Sequence, residues 1–333
     1  MDFRFRPLRR TTLLLAASVF TAGLSAPAAF AANWPDKPVT IVVPFSAGGT
    51  TDVVARLVGQ KLGEMWHQSV VIDNKLGAGG NIGSGIVAQS KPDGYTILMA
   101  SGSILTVNPH LYKSLPFDVD KDFLPVTNVA QGPMVVSTAK KVPAKNLKEL
   151  LDLAKKNPKS LNMGSAGQGT QVHMAGENFS NAAHVQFTHV PYRGEAAAFT
   201  DLMAGQIDLV VGNIGAATPL VEADRINALA VTSKERAPML PNVPTVSEAG
   251  VPGFENYGWF GFIVPKGTPA DVVKKIQQDT AKVLAMKDVK DKLASVGMQP
   301  VGNTPEEFQK SIKEESKQWA KVIKERNISI GGN

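Results

Sequence analysis

The feature that most limits how this chain can fold is a unit that recurs along it: a short β-branched run, a loop rich in glycine and hydroxyl groups, then an amphipathic helix. Residues 39–43 (VTIVV) make the first run, which Pro44 ends, and the loop PFSAGGTTD follows. Val53, Val54, Leu57, Val58 and Leu62 then recur at helical spacing. Further strands are read at 70–72 and 96–100, the latter entered from the Pro92-Asp93-Gly94 turn, with a helix at 81–89 between them. Strands alternating with helices bury a parallel sheet on both faces, so the expected class is α/β.

A second series follows, with strands at 134–137, 161–163, 189–192, 207–211 and 228–232 and helices at 147–156, 173–181 and 196–204. After the prolines 241, 244 and 252, the aromatic run 259–264 reads as a strand crossing back. Helices at 269–286, 289–295 and 305–326 then complete the first unit. Such a length supports two cores. The expected organisation is a leader at 1–31, a discontinuous first lobe at 32–131 and 254–333, and a second lobe at 132–253. Two crossing segments, near 129–133 and 250–257, serve as the hinge. There is no cysteine, so both cores stand without disulfides and thiol chemistry is excluded.

The leader is read from Arg4, Arg6, Arg9 and Arg10, the apolar run 13–20 and the small-residue triplet Ala29-Phe30-Ala31, after which cleavage is expected. That run is too short to span a bilayer, and no other segment approaches the necessary length. The general secretory route is expected, although Arg9-Arg10 also suggests the twin-arginine route. Either implies a periplasmic protein. The leader carries +3 of the formal +6, leaving a mildly basic mature chain. Its cations alternate with acids along helices such as 274–292, the pattern of a solvated face and not of a nucleic-acid footprint.

Two loops concentrate the chemistry. In PFSAGGTTD the glycines let backbone amides turn outward, Ser46, Thr50 and Thr51 offer hydroxyls, and the helix that follows adds the positive end of its dipole. This suits a carboxylate or phosphate. It would also serve as an ordinary N-cap with Asp52 in the first turn. GSAGQGTQVH at 164–173 repeats the design in the other lobe with Ser165 and Thr170. An anion-receptive helix start in each lobe is what gripping a dicarboxylate from two sides requires, and the pairing favours ligand binding. Neither loop carries the lysine of a nucleotide-binding P-loop, and GAGGNIG at 77–83 lacks the dinucleotide spacing. It reads as a loop capping the second helix.

The remaining candidates read more plainly. His173 and Glu177 share a helix face at a metal-compatible spacing, but no third ligand is evident nearby, so no metal or other cofactor is expected. His173 is expected to donate to a ligand or loop oxygen, and packing accounts for His184 and His189. A hydrolase would need Ser46 or Ser165 as nucleophile, His173 as base and Asp52 or Asp201 as orienter. Neither serine lies in GxSxG, so an enzyme is not expected. Tyr192 is a candidate to face the cleft, Arg193 a weaker one, and Trp259 reads as core.

The blocks WPDKPVTIVVPFSAGGTTDVVAR, NKLGAGGNIG, DGYTILMAS, GSAGQGTQVHMAGE, HVPYRGEAAAFTDLMAGQID and LPNVPTVSEAG resemble the tripartite tricarboxylate transporter receptors, the Bug/TctC family, from Trp34 to the C-terminus. The resemblance implies the two-lobed type II periplasmic-binding-protein fold, each lobe a mostly parallel sheet flanked by helices. It also implies a carboxylate ligand and a membrane permease as partner, and the chain is expected to be a monomer. A receptor that presents its closed form to a sensor kinase is the alternative. Carried over by position, the family's ligand loops fall on Phe45, Ser46, Gly48, Gly49, Thr50 and Asp52, and on Ser165, Gly167, Gly169, Thr170 and His173. Where many relatives carry an acid after an apolar strand, this chain has Gly212 and Asn213. That departure weakens the case for an ammonium-bearing ligand, and it makes Asn213 a candidate.

Overall fold

A computed structural model of the chain describes residues 34–326, with 1, 2 and 328. The leader lies outside the described residues but for its first two. The opening unit runs β1 (Val39–Val43), α1 (Thr50–Trp66), β2 (Val70–Asn74), α2 (Asn81–Ala88) and β3 (Thr96–Ser101). Valine and isoleucine leave β1 almost wholly buried, pairing in parallel with β2 (Ile41 opposite Ile72) and with β3 (Ile41 opposite Ile97). Helix α1 turns Val54, Val58 and Leu62 onto this sheet, and each such side chain taken fully from water contributes on the order of 2 kcal/mol. It ends at His67, whose left-handed backbone closes the last turn through Gly63.

Three short helices, α3 (Gly102–Thr106), α4 (Asn108–Leu111) and α5 (Val119–Asp122), lead into β4, a 17-residue strand from Phe123 to Ala139. The second unit then runs α6 (Leu147–Lys156), β5 (Asn162–Ser165), α7 (Gln171–Ala182), β6 (Thr188–Pro191), α8 (Glu195–Met203), β7 (Leu209–Asn213), α9 (Ile214–Glu222) and β8 (Ile226–Val231). The chain returns through β9 (Tyr257–Pro265) and ends with α10 (Ala270–Ala285), α11 (Lys287–Ser295), β10 (Gln299–Pro300) and α12 (Pro305–Arg326).

The result is a two-lobed α/β fold whose sheets share one strand. In the first lobe the order is β2-β1-β3-β9-β4, with β10 on the outer side of β4. In the second it is β8-β4-β7-β5-β6. In the first lobe β9 and the short β10 run antiparallel to the other strands, and in the second lobe β4 does.

The structure places a single continuous strand where the sequence suggests a hinge near 129–133 followed by a separate strand at 134–137. Prolines 125 and 133 hid it, since proline interrupts a ladder. Pro133 closes the pairing with β9, opposite Tyr257, and Met134 opens the pairing with β7, so the missing N–H falls where one sheet hands the strand to the other. Bulges between Pro125 and Thr127 and between Asn128 and Ala130 bend it further. The second crossing is short. Thr232 takes Asn256 N–H on its carbonyl (2.9 Å) and gives its hydroxyl to the Asn256 carbonyl (2.6 Å), and β9 starts one residue later.

Candidate functional site

The first wall is the loop between β1 and α1. Gly48 has φ of +81°, a conformation glycine adopts freely, and turns its N–H to Asp52 Oδ2 at 2.9 Å. The same oxygen accepts Arg56 Nε (2.8 Å), while Oδ1 accepts Asn74 Nδ2 (2.9 Å), which also donates to the Phe45 carbonyl. Burial pushes the Asp52 pKa up, but the donors Arg56, Gly48 and Asn74 outweigh it and hold the group below the ordinary aspartate value. Asp52 is thus a brace that fixes the loop from behind, leaving Ser46, Gly49 and Thr50 to face outward.

The second wall is the loop between β5 and α7. Gly167 (φ +122°) and Gly169 (φ +75°) shape it. Thr170 caps α7, its hydroxyl donating to the Gly167 carbonyl at 2.7 Å and accepting the His173 N–H at 3.4 Å. Behind this turn, His173 Nδ1 accepts the Gly169 N–H (3.2 Å), and its ring stacks on His189 at 3.8 Å between centroids. Burial, with His189 adding to it, drops the His173 pKa to about 3, and burial drops that of His189 to about 4, so both rings are neutral at physiological pH. Ser165 Oγ accepts the Gly167 N–H and lies 2.6 Å from His189 Nε2. Ser165 is fully buried and does not line the cavity.

The third wall is the turn into α8 with the end of β7. Tyr192 presents its side to the cavity while its hydroxyl donates to Asp201 (2.8 Å). Burial, then Asp201, pushes its pKa up to about 12. Glu195, the first residue of α8, accepts Asn213 N–H at Oε1 (2.6 Å) and Asn213 Nδ2 at Oε2 (2.8 Å). Burial pushes its pKa up to about 7, although both bonds favour the ionised form. The carboxylate fills the space Gly212 leaves open, for a Cβ there would stand 2.7 Å from Oε1.

These walls enclose a cavity of about 450 Å³ between the lobes. Across it Gly194 faces Ser46, so closely that an added Cβ would meet Ser46 Oγ at 3.5 Å. Gln171 ties the lobes together beneath it, donating Nε2 to the Trp259 carbonyl (2.8 Å) and accepting the Trp259 N–H on Oε1 (2.9 Å).

Of the residues singled out from sequence, Phe45, Ser46, Gly49, Thr50, Thr51, Gly167, Thr170, Tyr192, Arg193 and Asn213 line this cavity. Gly48, Asp52, Ser165, Gly169 and His173 do not. They hold the two loops from behind, because each spends its polar group, or in Gly169 its packing against Asn108 and Leu111, on the loop itself. Reasoning from sequence passed over several contributors. The 76–80 segment, read only as a helix-capping loop, lines the cavity too, as do Ser101 at the end of β3 and Glu195. The acid thought missing at Gly212-Asn213 is supplied from α8. An acid in a helix's first turn reads as ordinary dipole matching, so Glu195 carried no distinct signal. Among the described residues no group of three or more His, Asp and Glu side chains is arranged to hold a metal ion.

Residues 54–328 match the tripartite tricarboxylate transporter family receptor profile. Protein BugT of Bordetella pertussis is 34% identical over 326 residues, 97% of this chain and 100% of that protein. Among solved structures, R. palustris Rpa4515 with adipate superposes with a TM-score of 0.84 at 38% identity, covering 87% of this chain and 97% of that one. MatC from Rhodopseudomonas palustris with bound malate does so with 0.81 at 32%, covering 87% and 100%. With a profile match over most of its length and relatives aligned nearly end to end, the chain belongs to the tripartite tricarboxylate transporter receptor family, the Bug/TctC solute-binding proteins.

Proposed function

We propose that this protein is a periplasmic receptor that captures a small dicarboxylate between its lobes and delivers it to a tripartite tricarboxylate-type membrane permease, without chemical change. The observation that carries this reading is the pair of strand-to-helix loops, one from each lobe, whose Gly49-Thr50 and Gly167-Thr170 ends face a common cavity. The positive end of a helix favours carboxylate oxygens, and one at each side suits a ligand with a carboxylate at each end. The ligands of the two superposable structures, adipate and malate, are of that class.

Lobe closure belongs to the same reading. The lobes, read from sequence as 32–131 with 254–333 and as 132–253, pivot a few residues further on, at Pro133-Met134 and at Asn256-Tyr257, where the chain passes between them and before which Phe254 still packs in the second core. A ligand touching both loops favours the closed form, whereas one touching a single lobe leaves the equilibrium unmoved. The test is a melting-temperature screen of carboxylates, sugars and cations, followed by solution scattering with the best ligand. Dicarboxylates at ~100 times their dissociation constant should stabilise the protein by about 2.7 kcal/mol and reduce its radius of gyration. Stabilisation by sugars or cations alone would overturn the reading.

A further inference from the structure

Within the receptor reading above, on which this inference rests, Glu195 is an anomaly: a carboxylate standing in a cavity whose two helix starts attract carboxylates. We propose that Glu195 enters the complex as the neutral acid and donates its proton to a ligand oxygen, so that each dicarboxylate captured above neutral pH brings one proton in with it.

The site is built for such a group. Gly212 alone provides the space for the carboxyl, since a Cβ there would press on Oε1 at 2.7 Å and on Phe199 at 2.9 Å. Asn213 fixes both oxygens through its backbone and side-chain N–H groups, at 2.6 and 2.8 Å, which sets the acid at the cavity wall in one orientation. Neither bond comes from a cation. Two anions in one cavity repel, and a proton on one of them turns the repulsion into a hydrogen bond. The proton is readily available, because burial has already raised Glu195 to about 7 before any ligand charge arrives.

The other groups around the site leave this titration distinct. On β7 the neighbour is neutral Asn213, and across the cleft stand the hydroxyls of Ser46 and Thr50. In the turn before α8, Tyr192 stays protonated, and the cationic Arg193 also lines the cavity. His173 on α7 and His189 on β6, behind the loop, are neutral throughout this range, and Asp52 behind the first loop is ionised throughout it.

The experiment is calorimetric titration of the mature protein with adipate, malate and succinate from pH 6 to 8.5, in pairs of buffers with different ionisation enthalpies, with aspartate as the ammonium-bearing control. Wild-type affinity should be level below pH 6.5 and fall about tenfold per pH unit above 7, roughly thirtyfold in all by pH 8.5. Proton uptake should approach one per ligand at pH 8. Glu195→Gln, checked for folding by circular dichroism, should bind with no uptake and no pH dependence. Wild-type binding that takes up no proton and is level to pH 8.5 would overturn the inference and leave the receptor standing. So would a preference for aspartate that strengthens with pH, which would mean an ionised Glu195 paired with the ammonium. If no dicarboxylate binds either protein at any pH, the receptor reading fails and the inference falls with it.

Discussion

Asp52 separates a residue that holds a ligand from one that holds the loop, and the two roles predict different outcomes for Asp52→Ala. The side chain is 3% exposed and accepts three bonds, from Gly48, Arg56 and Asn74. The first and third are worth about 1 kcal/mol each. The Arg56 side chain is 51% exposed, so that ion pair is discounted to about 0.5 kcal/mol. Loss of a first-turn acid from α1 adds roughly 0.5 kcal/mol. The total, about 3 kcal/mol, corresponds to a fall of about 6 °C in melting temperature for a chain of this size. Differential scanning calorimetry of the ligand-free protein reads it directly. Asp52→Asn should recover about half the loss and bind adipate within a few-fold of wild type. If Asp52→Ala melts like wild type but no longer binds, the carboxylate touches ligand and the bracing role is wrong. Because the folded-state pKa is depressed, this contribution is complete above pH ~4 and is lost as pH falls below it.

Three further outcomes follow from the geometry. His173 and His189 stay neutral in the fold while the unfolded chain protonates them below pH ~6.5, so stability is full above that value and falls between 6.5 and about 4. Between pH 7.5 and 5.5 the pair costs about 2.7 kcal/mol, and urea unfolding of His189→Asn should show roughly half that loss removed. Glu195 acts in the opposite sense, gaining stability as pH falls through 7, so it is the wild-type-minus-variant difference that must be read. Gln171→Ala removes the two bonds to Trp259 and should lower stability by about 2 kcal/mol, while circular dichroism stays unchanged. Gly194→Ala, which sets a methyl 3.5 Å from Ser46 Oγ at a φ of +148°, should weaken adipate binding at least tenfold by calorimetry. Unchanged affinity would mean the lobes close elsewhere.

The alternation of strands and helices was legible because buried parallel strands such as VTIVV cannot be mistaken for surface. The two loops were legible because glycines beside hydroxyls at a strand-to-helix junction have few other uses. What sequence could not supply was direction. Asp52 and His173 lie within the first turn of their helices, and nothing in the spacing says whether a side chain there turns to the cleft or back to its own loop. β4 was hidden by Pro125 and Pro133 and by the polar Thr127, Asn128 and Gln131 between them, residues that fit a strand only because it bulges and changes partner there. Helix α9 was missed because Gly215 and Pro219 argue against a helix, yet Pro219 is accommodated among the nine residues. Glu195 needed tertiary structure, since its role arises from the vacancy at Gly212, 17 residues away.

The sharing of β4 between the sheets also orders events during synthesis. The second lobe's core draws only on residues from Met134 to Phe254, one uninterrupted stretch, whereas the first lobe's main core needs Trp34 and Met298 together. A chain emerging amino-end first can therefore close the second core once Phe254 is out, while β1, β2 and β3 wait for β9, the partner of β3. Until then the strand at Thr96–Ser101 offers an unpaired, apolar edge, the kind of surface that recruits other chains. The period of greatest exposure to aggregation is thus set by the distance from β3 to β9, and slowing the arrival of the last 80 or so residues would lengthen it without altering the stability of the finished protein.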